Sequence, residues 1–139
     1  MTVSTMLSLL SEGFVTSLLI FALTLLFSMP LGLAVMFGRR SRLTPLRGFI
    51  KAYISIMRGT PLMLQLMVVF YGPKLLLGVT VPGNWRFTAV IVAFVINYAA
   101  YFAEIYRGGI ESIPRGQYEA AQVLGYTKAQ TFFKIILPQ

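Results

Sequence analysis

The sequence predicts an all-α membrane protein in which three transmembrane helices precede a short cytoplasmic helix-turn-helix segment. Three observations carry that expectation. The 139-residue chain is 57% hydrophobic and 12% charged, against about a quarter charged in soluble domains. It holds two long runs without a single charge. After Arg107 the continuous apolarity gives way to mixed polarity punctuated by Pro114, Gly125 and Pro138.

The first run, 13–38, is 26 uncharged residues, longer as a helix than the ~30 Å hydrocarbon core of a bilayer. It predicts a span over about 14–38, with a kink tolerated at Pro30 and Gly32, ended by Arg39, Arg40 and Arg42. The second run predicts a span over about 87–106, introduced by Trp85 and Arg86, which suit the headgroup layer. Between them, residues 59–73 give only 15 uncharged positions, about 22 Å of helix and too short to cross alone. Extending the segment backwards supplies length and brings Arg58 to the membrane boundary. The expectation is therefore one span over about 49–76, interrupted near Thr60 and Pro61, because proline lacks an N–H and biases the residue before it away from helix.

Charge sets the direction. Ten basic residues follow spans one and three, and only Lys74 and Arg86 fall in the other loop. The positive-inside rule places the N-terminus outside and the C-terminus in the cytoplasm.

Beyond Arg107, Pro114 suits the start of a helix on which Tyr118, Ala121 and Leu124 share a face, and Gly125 stands where a left-handed cap would be. Thr127 followed by Gln130 is a capping-box pattern for a second helix that runs to Leu137 and stops at Pro138. Periodicity alone favours a membrane-surface amphipathic helix or the start of a fourth span.

Several chemistries are excluded. The chain has no cysteine and no histidine, which removes disulfides, thiolate nucleophiles, imidazole chemistry and the common zinc sites. Its four carboxylates, Glu12, Glu104, Glu111 and Glu119, are too scattered for an oxygen-only metal site. No catalytic residue, metal or cofactor is expected. The net charge of +8 is interrupted by apolar runs and makes no basic face for nucleic acid. The N-terminus lacks the basic residues and short apolar core of a cleaved signal, and no glycine-lysine phosphate loop occurs.

Glu119, Ala120, Ala121, Gly125, Ile135, Leu137 and Pro138, at their spacing here, resemble the Glu-Ala-Ala loop of ATP-binding-cassette importer permeases. Two further stretches, Arg58-Gly59-Thr60-Pro61-Leu62 and Glu104-Ile105-Tyr106-Arg107-Gly108-Gly109-Ile110, resemble the polar amino-acid uptake branch of that superfamily. The resemblance implies a permease of about five spans in the bacterial inner membrane, paired with itself or a sister subunit. It also implies two cytoplasmic ATPases, an external solute-binding protein, and a role for 108–139 as the loop that contacts the ATPase. Since Gln139 directly follows the Leu-Pro, the expectation is a partial chain lacking two later spans. A passive channel subunit and a non-transporting scaffold are the alternatives.

One ionic constellation stands out. Glu104 and Arg107 can pair within a helix, and Arg58, expected at similar depth, can reach Glu104 from another helix, since ionisable groups near the membrane need partners. Asn97, in mid-span, reads as a hydrogen-bonding contact to a neighbouring helix.

Overall fold

A computed structural model describes residues 2–139 and is helical almost throughout. Helices α1 (Val3–Arg39), α2 (Thr44–Gly59), α3 (Leu62–Leu77) and α4 (Trp85–Glu111) are followed by α5 (Arg115–Val123), α6 (Lys128–Thr131) and a π-helical turn over Phe132–Ile136. α1 and α4 are each long and apolar enough to cross a membrane.

These two helices form the centre of the bundle. Apolar surface gains little by leaving lipid for another helix, so the contact depends on close packing of small residues. α1 buries Thr24, Ser28, Gly32 and Met36, four apart along one stripe, while α4 buries Ala89, Ala93, Ala99, Ala100 and Ala103. Among the described residues, the Thr24 and Ser28 hydroxyls find no hydrogen-bond partner, so their small size is what suits them to the interface. At Gly32 the two backbones approach closely. A Cβ there would lie 2.6 Å from Phe102 Cβ and 3.0 Å from the Ala99 carbonyl oxygen. α1 stays one continuous helix through Pro30.

α2 is amphipathic. Pro45 lies in its first turn, and Ile50 and Ile54 are buried, joining Met36, Ala100 and Ala103 in the apolar core. It ends at Thr60, whose extended backbone (φ −117°, ψ 147°) is what a following proline favours. α3 starts immediately after Pro61, and the two helices meet at 110°. The interruption lies at the two expected residues, but 49–76 is not one straight rod. Each half has 16 residues, about 24 Å of helix. The bend is held by α4, because the Trp85 indole donates to the Phe70 carbonyl at 3.0 Å and so ties the start of α4 to α3. α3 closes on Gly78, at φ 63°.

α5 begins one residue later than expected, with Pro114 as its cap. It ends in a Schellman motif: Tyr126 N donates to Ala121 O and Gly125 N to Gln122 O, both at 3.0 Å. Gly125 takes φ 77°, the left-handed conformation that a side chain disfavours. The capping box of Thr127 and Gln130 is present in both directions. The second helix departs from expectation. It is α-helical for one turn and then widens, with Leu137 N donating to Phe132 O at 2.8 Å. The wider turn buries both Thr131 and Ile136, and the Phe132 ring meets Phe37 of α1 edge-on at 5.5 Å.

Candidate functional site

The polar groups of the bundle gather at two levels. The first is the α2–α3 break. Pro61 has no N–H, so the carbonyl of Met57, four residues earlier, loses its helical partner. Asn97 Nδ2 of α4 donates to that carbonyl at 3.1 Å and Gln65 Nε2 of α3 at 3.0 Å. Asn97 also donates to Gln65 Oε1 at 2.9 Å, and Gln65 reaches the Thr60 carbonyl and hydroxyl at 3.1 and 2.8 Å. Irregular backbone at membrane depth is tolerated where protein satisfies it, and these two amides do so. The Tyr53 hydroxyl adds a bond from α2 to the Ile96 carbonyl of α4.

The second level is ionic. Glu104, with its side chain only 14% exposed, faces three arginines. Arg107 donates to Oε2 from Nη2 at 3.0 Å and from Nε at 3.2 Å, Arg58 Nη1 lies 3.5 Å from the same oxygen, and Arg39 pairs with Oε1. Arg107 also pairs with Glu111, and the Arg58 guanidinium sits 5.5 Å from the centre of the Tyr101 ring. The structure thus brings Arg58, Glu104 and Arg107 together, and both the intrahelical and the interhelical pair form. Arg39 was missed by sequence reasoning. Its position at the end of the first long apolar run, as Glu104 stands at the end of the second, was the available signal. Gln65, flanked by apolar residues four after Pro61, was the corresponding signal at the break.

Apart from Glu111, which pairs with Arg107, the segment 108–139 contributes nothing to either cluster. Glu119 and Ala120 are exposed on α5, whereas Ala121 is 1% exposed and faces inward. Leu124 does not share that burial: with Val123 it remains largely exposed, and Tyr118 is partly so. Gly125 shapes the turn, Ile135 is half-buried, and Leu137 and Pro138 are exposed. Among the described residues no group of His, Cys, Asp or Glu could hold a metal.

The chain matches the family model described as binding-protein-dependent transport system inner membrane component over residues 28–139. It is 39% identical over 131 residues to the L-cystine transport system permease protein TcyB of Bacillus subtilis (strain 168), covering 94% of this chain and 54% of that protein. The arginine transport system permease protein ArtQ of the same organism is 38% identical over 128 residues, covering 92% and 57% respectively. A crystal structure of an amino acid ABC transporter with histidines matches with a TM-score of 0.82 and 34% identity, covering 100% of this chain and 65% of that one. The chain spans about half the length of the curated relatives it matches. Sequence, helical architecture and these likenesses agree, and the chain belongs to the family of binding-protein-dependent transport system inner membrane components.

Proposed function

We propose that this chain is part of the permease subunit of an ABC importer that moves polar amino acids across the bacterial inner membrane, with its N-terminus outside and its C-terminus in the cytoplasm. The observation that carries the reading is likeness over nine-tenths of the chain to permeases named for L-cystine and arginine transport. The spans cover about 14–38, 49–76 and 87–106. The chain performs no covalent chemistry. ATP is hydrolysed on cytoplasmic ATPase subunits, an external solute-binding protein delivers the amino acid, and a second permease subunit completes the pathway.

The segment 108–139 couples hydrolysis to movement. Its support is physical: an exposed carboxylate, Glu119, stands on a short helix beside exposed Val123 and Leu124, and Gly125 and the capping box set the angle to the next helix. Closure of the ATPases moves this unit, and the spans rock between inward and outward access. Glu104 and its arginines tie α1, α2 and α4 together so that they move as one body.

The test is uptake of radiolabelled cystine, arginine and glutamine by cells carrying the full-length permease with its partner subunits. Uptake of at least one, abolished when the ATPase is made hydrolysis-dead, is expected. Uptake indifferent to the ATPase would instead indicate a passive channel, and no uptake of any amino acid a non-transporting scaffold.

A further inference from the structure

A cavity of about 590 Å³ opens between the end of α1, the end of α4 and the helix-turn-helix segment. Its lining has two characters. Arg40 and Lys128 contribute cations and Gln122 an amide, while Ile110, Tyr118 and Phe132 contribute apolar and aromatic surface. Among the described residues neither Arg40 nor Lys128 forms an ion pair, and no carboxylate lines the cavity. A third cation, Lys134, lies 5.9 Å from the centre of the Tyr126 ring, which also faces the cavity. Arg40 directly follows the last residue of α1, so the cavity opens at the end of a helix long and apolar enough to cross a membrane.

We propose that this cavity binds the headgroup and glycerol region of an anionic phospholipid. Unpaired cations beside an apolar and aromatic lining complement a phosphodiester joined to an apolar chain, and basic pockets between membrane helices hold anionic headgroups by this chemistry. A zwitterionic lipid offers the same phosphate with a cation that Arg40 and Lys128 repel. The aromatic side chains cover the glycerol and upper acyl carbons. The site joins α1 to the segment after α4 through a ligand, and it does not depend on the transport reading.

The test uses the full-length protein with whatever subunits co-purify, delipidated in detergent and titrated with phosphatidylglycerol or phosphatidylcholine, bound lipid being counted by native mass spectrometry. Phosphatidylglycerol is expected to bind more tightly. The pair Arg40→Gln and Lys128→Gln should weaken it roughly 25-fold, about five-fold per cation. The charge-keeping pair Arg40→Lys and Lys128→Arg should retain it, and so should Arg47→Gln with Lys51→Gln, two cations of α2 outside the cavity. If the Gln pair fails to fold, the charge-keeping pair and the competition between the two lipids still decide. Equal binding of both lipids, or an equal loss in the α2 control, would overturn the proposal. So would displacement of lipid by equimolar glycerol phosphate, which would assign the site to a soluble phosphate. Loss of a co-purifying ATPase from the Gln pair with lipid binding unchanged would make the cavity a protein contact and equally overturn it.

Discussion

Asn97 Nδ2 donates to the Met57 carbonyl at 3.1 Å, the oxygen that Pro61 leaves without a helical N–H. A residue of α4 thus completes the backbone at the break between α2 and α3. Asn97→Leu removes this bond and leaves the carbonyl on Gln65 alone. We expect destabilisation of about 1 kcal/mol, the scale of interhelical hydrogen bonds in membranes. Gln65→Leu should cost more, since Gln65 also serves both Thr60 oxygens. Thermal unfolding of the detergent-purified protein orders the two, and wild-type stability in Asn97→Leu would show the bond to be dispensable.

Gly32 should tolerate no side chain. A Cβ 2.6 Å from Phe102 Cβ forces α1 and α4 apart, and overpacking of this kind costs about 1–3 kcal/mol. Gly13, on the same helix with nothing within 4 Å, provides the control: Gly13→Ala should be neutral or stabilising by up to about 1 kcal/mol. Equal thermal midpoints for Gly32→Ala and Gly13→Ala would contradict the packing argument.

Glu104→Gln leaves Arg39, Arg58 and Arg107 facing one another without their shared carboxylate. We expect a loss of about 1–3 kcal/mol, below the full cost of breaking a buried pair because all three arginines retain solvent access. A double-mutant cycle with Arg39→Gln should give a coupling of at least about 0.5 kcal/mol. Strict additivity would remove Arg39 from the cluster.

Gly125→Val and Glu119→Lys separate the turn from the contact in the segment proposed to couple to the ATPase. Valine at φ 77° costs about 1–2 kcal/mol locally, small against insertion of the spans but enough to redirect α5. Glu119 is exposed, so its reversal acts on a partner's charge. Both variants should insert normally yet lose ATPase co-purification or stimulated hydrolysis in the full-length context. Replacing buried Ala121 with a bulky residue should disturb the segment's own packing first. Wild-type coupling in both Gly125→Val and Glu119→Lys would dismiss the segment as the contact.

Orientation is tested by single cysteines at Ser41, Gly83 and Ala129 in this cysteine-free chain. Gly83 has open space around it and Ala129 is exposed. An impermeant thiol reagent on intact cells should label position 83 alone. Labelling of 41 and 129 in its place would invert the topology.

The helical membrane class, the break at Thr60 and Pro61, the glycine turn at 125 and the capping box at 127–130 are legible in the residues alone. Each follows from properties a residue carries wherever it stands: transfer free energy, a missing N–H, the freedom to take positive φ, a side chain that reaches three residues along its own helix. The 110° bend, the widening at Phe132–Ile136, the convergence of Arg39 on Glu104 and the choice of amides that serve the Met57 carbonyl emerge from the packed helices. These depend on where one helix lies against another. In lipid that placement is set by small-residue packing such as Gly32 on Phe102 and by the need of each buried polar group for a partner. Residues distant along the chain meet those demands at positions that periodicity cannot reveal.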